Sequence, residues 1–94
     1  MKSTLVSRRY VIRGRVQGVG FRSFVQIAAR KVGLDGQVLN RGDGSVEAVA
    51  VGEVEAIESF EQALRTGPPN ARIEGVEITD SAPTGFGSGF SILP

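Results

Sequence analysis

The sequence contains neither cysteine nor histidine. Without cysteine it has no disulfide framework and no thiolate nucleophile, a composition that favours a cytoplasmic protein. Without histidine it lacks the Ser–His pair of many hydrolases, phosphohistidine chemistry and the usual zinc ligands. Any catalysis by this chain must therefore proceed without the two most versatile side chains.

Long apolar runs and a strong net charge are absent as well. No segment approaches the ~18 apolar residues of a membrane-spanning helix, and the N-terminus shows no signal-peptide core. The net charge of +1 is far from the basic surface that nonspecific nucleic-acid binding needs. We expect one domain over residues 1–94, with a flexible N-terminus over residues 1–7. We also expect a monomer that binds neither membranes nor nucleic acid.

Hydrophobic periodicity predicts alternating strands and helices. The predicted elements are a strand over residues 8–13, a helix over 22–32, a hairpin over 36–51, a helix from Glu53 to Thr66, and strands over 73–79 and 90–93. Gly33 is placed to cap the first helix, Asp43–Gly44 to close the hairpin, and Gly75 to form a bulge. The order predicts an α+β, ferredoxin-like βαββαβ sandwich, an antiparallel sheet with two helices on one face and an extra C-terminal strand.

A glycine-rich loop joins the first predicted strand to the first predicted helix. Residues 14–22 read Gly-Arg-Val-Gln-Gly-Val-Gly-Phe-Arg. Unpaired N–H groups at a helix start bind anions, and Gly14, Gly18 and Gly20 let the main chain approach a ligand closely. Arg22 adds a planar set of donors for phosphate or carboxylate. The loop matches neither the P-loop nor the dinucleotide fingerprint, so an anion site and a plain tight turn stay equally open.

Asn40 is a second candidate, located just before the Asp43–Gly44 turn. Asparagine near a hairpin turn usually serves the turn itself. If its strand lies beside the first strand, the amide points toward the glycine loop instead. An amide both donates and accepts hydrogen bonds, so it could orient a water, although it cannot act as a general base.

These segments resemble the signatures of the acylphosphatase family. Residues 14–22 look like the first signature, and the segment Asn40-Arg-Gly-Asp-Gly-Ser-Val-Glu47 is similar to the second. The similarity continues through residues 67–72 and 90–93, so it covers the chain from Arg9 onward. It implies a ferredoxin-like fold and hydrolysis of acyl phosphates to a carboxylate and inorganic phosphate, with no metal and no cofactor.

The resemblance also implies which residues form the site. Arg22 stands at the family's catalytic arginine position, and Asn40 at the position of the asparagine that holds the attacking water. The phosphoryl group is wrapped by Arg15, Val16, Gln17, Gly18, Val19, Gly20 and Phe21. Two residues depart from the family pattern. Gln37 stands where the family commonly has an aromatic residue, and Leu39 stands where a basic or polar residue is common.

Two other functions fit the same topology. A non-catalytic module of acylphosphatase-like fold would keep only the anion site. An RNA-recognition module shares the βαββαβ order but stacks bases on aromatic residues of its sheet. Tyr10 is the only aromatic residue in the first three predicted strands, which argues against RNA.

Overall fold

A computed structural model describes residues 5–82 and 87–94. The elements are β1 (Leu5–Arg15), α1 (Phe21–Lys31), β2 (Asp35–Asn40), β3 (Val46–Glu53), α2 (Val54–Thr66), β4 (Arg72–Asp80) and β5 (Phe90–Ile92). The predicted α+β, ferredoxin-like order with an added final strand is confirmed. Within the described ranges, neither helix is long and apolar enough to cross a membrane.

The five strands form one sheet in the order β4-β1-β3-β2-β5. β1 to β4 pair in antiparallel fashion, and β5 runs parallel to β2 at the edge. The strand that carries Asn40 is therefore not the neighbour of β1, contrary to the arrangement considered from the sequence, because β3 lies between them. The connection from β1 through α1 to β2 leaves one strand position free between β1 and β2. β3 follows β2 after a short turn and occupies that position.

β1 is longer than the sequence pattern predicts. It begins at Leu5, which pairs with Glu53, and ends at Arg15, which pairs with Arg72. Residues 5–7 of the expected flexible N-terminus therefore belong to the sheet, while residues 1–4 lie outside the described residues. Periodicity misses this extension because main-chain pairing maintains it while Leu5 stays 64% exposed.

Both helices pack on one face of the sheet and enclose the core. Core residues of the helices are Phe21, Val25, Ala29, Ile57, Phe60 and Leu64. Tyr10 of β1 is fully buried among them, with its ring edge-on to Phe60 at 5.5 Å between centroids. Its hydroxyl donates to Glu61 Oε2 over 2.8 Å, and the same oxygen pairs with Arg8 Nη1 at 2.6 Å. Burial, reinforced by this carboxylate, raises the pKa of Tyr10, so Tyr10 is a neutral core residue.

In the ranges that the structure describes, no helix covers the opposite face of the sheet, yet Val11 is buried there. It lies between Glu47 on β3 and Glu77 on β4. These carboxylates pair with Arg9 at 2.9 Å and with Arg13 at 3.0 Å. The aliphatic stems of such charged side chains shield apolar surface while their ends stay in water, which keeps this face polar.

Gly14 lies where the register between β1 and β4 shifts. Arg13 pairs with Gly75 but Gly14 pairs with Ile73, so Glu74 is the extra residue of a β-bulge. The bulge lies next to Gly75, where the sequence predicts it. The backbone φ angle of Gly14 is 130°, a value that residues other than glycine rarely adopt. A Cβ at Gly14 would lie 2.0 Å from the main-chain oxygen of Arg72, so only glycine fits here.

Asp43 organises the turn between β2 and β3. Its Oδ1 accepts hydrogen bonds from Ser45 Oγ at 2.5 Å and from Ser45 N at 3.0 Å. Gly44 supplies the predicted positive φ, at 91°. The hydrogen bond from the Ser45 hydroxyl, followed by that from its main chain and one from Arg13, lowers the pKa of Asp43 to about 2.

We predict that Gly14→Ala lowers the free energy of unfolding by about 2–4 kcal/mol, because backbone strain and a main-chain clash add. Gly75→Ala is the matched control, since a Cβ at Gly75 would have no atom within 4 Å. Urea denaturation of both variants measures the difference. Equal losses in the two variants would contradict this account.

We predict that the Asp43 carboxyl titrates at about 2, against its ordinary value of 3.8. Since the folded-state pKa is the lower one, the stabilisation is present above the ordinary value and is lost as the pH falls toward 2. NMR titration of the carboxyl carbon measures this pKa. Ser45→Ala should raise it toward 3.8, and an unchanged value would show that the hydroxyl is not its main cause.

Candidate functional site

The loop between β1 and α1 borders a cavity of about 130 Å³. Its lining residues are Val16, Gly18, Gly20, Phe21, Arg22, Ser23 and Asn40. Arg22 comes from the first turn of α1, and Asn40 is the last residue of β2. The fold thus brings the two principal candidates from the sequence into one cavity.

The start of α1 borders this cavity. Gly18 and Gly20 have φ values of 73° and 75°, which turn the chain into α1. The Gly20 oxygen accepts the hydrogen bond from Phe24 N at 3.1 Å. The N–H groups of residues 21–23 precede that bond and have no acceptor within the helix. They also lie at the positive end of the helix dipole, so this side of the cavity suits an anion.

The guanidinium of Arg22 has a neutral hydrogen-bond partner. The side chain is half-buried, and its Nη1 donates to the main-chain oxygen of Leu93 over 2.8 Å. Among residues 5–82 and 87–94, no carboxylate lies within ion-pair distance of it. A cation with only a neutral partner can still bind an anion strongly.

Asn40 faces the helices because of its register. It pairs with Val46 on β3, and Val46 pairs with Ile12 on β1. Paired residues project to the same face of a sheet, and both Val46 and Ile12 are fully buried in the core. Asn40 Oδ1 is itself buried and has no hydrogen-bond partner among residues 5–82 and 87–94. A buried acceptor of this kind is costly unless a water or ligand donates to it.

Three residues of the predicted loop do not line the cavity. Arg15 is exposed at the end of β1, and Val19 packs against the hydrophobic core. Gln17 Nε2 donates to the main-chain oxygens of Arg41 at 2.8 Å and Ser45 at 3.0 Å. Gln17 therefore connects the glycine loop to the turn that follows Asn40.

Sequence reasoning missed two parts of the site. Ser23 lines the cavity, and its position in the first helical turn after the glycine loop is the signal that points to it. The Leu93 carbonyl that holds Arg22 leaves no signal in the sequence, because every residue has a carbonyl. The departures Gln37 and Leu39 alternate with core-facing residues of β2, so they project to the face opposite the cavity.

Acidic side chains are not gathered at the cavity. In the described part of the chain, no group of three or more aspartates or glutamates is arranged to hold a metal ion. The positive charge at the site comes from Arg22 and the helix start.

Comparison with known proteins gives a consistent result. A family model described as Acylphosphatase matches residues 8–92. A curated relative from Azoarcus sp. (strain BH72), named Acylphosphatase, is 48% identical over 92 residues, which are 98% of this chain and 93% of the relative.

Solved structures agree with the sequence match. The crystal structure of acylphosphatase from Bacillus subtilis has a TM-score of 0.87 at 42% identity, covering 97% of this chain and 100% of that one. The structure of an acylphosphatase from Coxiella burnetii has a TM-score of 0.89 at 31% identity, covering 96% and 94%. The chain therefore belongs to the acylphosphatase family and is an acyl phosphate hydrolase.

Proposed function

We propose that Arg22 and the loop of residues 15–21 bind the phosphoryl group of the substrate while Asn40 orients the attacking water. One observation carries this assignment. Arg22, which has no carboxylate partner in the described part of the chain, and Asn40, whose Oδ1 has no hydrogen-bond partner there, line the same cavity. The guanidinium of Arg22 attracts an anion, and Asn40 Oδ1 needs a hydrogen-bond donor. The phosphoryl group would supply the anion, and the attacking water would supply the donor.

The phosphoryl oxygens would be held mainly by charge and by fixed donors. Phe21, Arg22 and Ser23 at the start of α1 line the cavity, so their N–H groups would bind phosphoryl oxygens, and Arg22 adds a guanidinium. Donors that are already in place need no reorganisation as charge shifts in the transition state. This electrostatic positioning is the main contribution that a protein makes to phosphoryl transfer.

The water would be oriented through the Asn40 amide. Oδ1 accepts a hydrogen bond from the water, which fixes the direction of the oxygen lone pairs toward phosphorus. The amide cannot remove a proton, so a phosphate oxygen of the substrate takes it. No basic side chain is needed for this step.

The leaving group explains why a chain without histidine suffices. Cleavage of a carboxyl–phosphate bond releases a carboxylate, whose pKa is about 4. Such a group leaves as an anion without being protonated. Arg22 and the helix start supply positive charge at the site, so the proposed mechanism uses neither a metal nor a cofactor.

The buried position of Tyr10 supports a small-molecule substrate over RNA. Its ring packs on Phe60 and its hydroxyl bonds to Glu61, so it is not available for base stacking. The only other aromatic residue in the described strands, Phe90, is also buried. A monomeric state, a cytoplasmic location and the lack of nucleic-acid binding stay predictions from the sequence.

We predict that Asn40→Ala lowers kcat for benzoyl phosphate by about 10²–10³-fold, the usual effect of losing one fixed group at such a site. Competitive inhibition by inorganic phosphate should persist, because Asn40 is assigned to the water. Gln37→Ala, on the other face of the same strand, is the matched control and should keep the wild-type rate. Equal loss of turnover in both variants would contradict the role of Asn40.

We predict that Arg22→Ala loses both turnover and inhibition by phosphate, since the cation that holds the anion is removed. Arg30→Ala, on the exposed side of the same helix, controls for the loss of one positive charge. Both variants are assayed with benzoyl phosphate in the presence of a chelator. Retained phosphate inhibition in Arg22→Ala would overturn the assignment.

A further inference from the structure

The side chain of Arg22 is connected to β2 through the residue that follows β5. Its Nη1 donates to the Leu93 oxygen over 2.8 Å. Leu93 N in turn donates to the Val38 oxygen over 2.8 Å. Val38 is fully buried and lies two residues before Asn40 on the same strand. β2 thus carries Asn40 directly and holds Arg22 through Leu93.

We propose that Leu93 is a positioning residue for acyl phosphate hydrolysis, and that it acts through its main-chain carbonyl on the guanidinium of Arg22. The inference rests on the proposed role of Arg22 as the phosphate ligand. The carbonyl holds one edge of the guanidinium and leaves the other donors for the substrate. Of the five N–H groups of an arginine, one bond to Leu93 leaves four.

A carbonyl suits this role better than a carboxylate. A carboxylate would fix the guanidinium equally well, but it would also neutralise its charge and compete with the phosphate. A neutral acceptor restricts the rotation of the side chain and leaves the charge intact. Preorganisation of this kind reduces the entropy lost when the substrate binds.

The main chain around Leu93 is well anchored. β5 runs along β2, where Gly36 N donates to the Gly89 oxygen over 3.0 Å. Phe90 anchors the strand in the core with 1% of its surface exposed. Pro94 follows Leu93 and restricts it to an extended backbone. The carbonyl is therefore held by strand pairing, packing and local stiffness.

α1 offers a matched control for the contact between Arg22 and Leu93. Gln26 lies one turn further along the helix, and its Nε2 donates to the Phe90 oxygen over 2.9 Å. This bond also joins α1 to β5, but Gln26 does not line the cavity. Loss of the Arg22–Leu93 bond or of the Gln26–Phe90 bond weakens the packing of α1 against the C-terminal segment. Only the Arg22–Leu93 bond involves the proposed phosphate ligand.

The test compares Leu93→Pro with Gln26→Ala in the full chain. Proline at position 93 removes the N–H that bonds to Val38 and so releases the carbonyl from its place. We expect KM for benzoyl phosphate and the inhibition constant of inorganic phosphate to rise together by about tenfold, as expected for a weakened hydrogen bond to a charged group. Gln26→Ala should leave both constants near their wild-type values. Leu93→Ala, which keeps the main-chain bonds, should have a much smaller effect than Leu93→Pro.

Unchanged constants in a folded Leu93→Pro variant would overturn the proposal, as would an equal rise in Gln26→Ala. If Leu93→Pro does not fold, a variant that ends at Ile92 with an amidated C-terminus removes the acceptor without adding a carboxylate, and it must show the same rise of about tenfold. Arg22→Ala, measured in parallel, separates the two claims. Retained phosphate inhibition in Arg22→Ala refutes the proposed function, whereas loss there with wild-type constants in Leu93→Pro refutes only the positioning role.

Discussion

The register of three strands at one end of the sheet determines the geometry of the whole site. Val46 of β3 pairs with Asn40 on one side and with Ile12 on the other. A shift of one residue in either pairing would turn a side chain to the opposite face. Asn40 would then project away from the helices, and the cavity would lose the amide. The packing of Val46 and Ile12 in the core opposes such a shift, because both are fully buried.

The same register places the glycine loop and the β2–β3 turn next to each other. Gln17 then bonds to two main-chain oxygens across the gap, and Asp43 stabilises the turn through Ser45. Leu93 adds a third connection, from β2 to Arg22. The groups that would hold phosphate and water are thus fixed relative to one another before a substrate arrives, which is what phosphoryl transfer requires of a protein.

The site holds Asn40 Oδ1, one of two buried side-chain oxygens that have no hydrogen-bond partner within the described residues; the other is Ser7 Oγ in β1. A buried oxygen without a donor costs stability, and Arg22 has only a neutral hydrogen-bond partner, the Leu93 oxygen. On the open face of the sheet, by contrast, Arg9 and Arg13 each pair with a glutamate. Local violations of this kind are expected at functional sites and are offset by packing elsewhere.

The sequence predicts the elements well where hydrophobic periodicity is strong, as in α1 and α2, and where glycine has a unique role, as in the cap at Gly33. The position of β3 between β1 and β2 could not be read from periodicity, because strand order depends on tertiary packing. Residue types make the glycine loop and Arg22 candidates for an anion site, with a plain tight turn equally open. The carbonyl of Leu93 could not be predicted in this way, since its role depends on where the chain passes.

Titration of the 15N-labelled protein with inorganic phosphate, followed by amide chemical shifts, tests most directly that the cavity between Arg22 and Asn40 is the phosphate site. The largest shifts should fall on the N–H groups of Gly18, Gly20 and Arg22 and on the side-chain amide of Asn40. A second cavity, beside Arg13 and Gly44, provides the alternative. Shifts centred on that second cavity, or no saturable shift at all, would contradict the account.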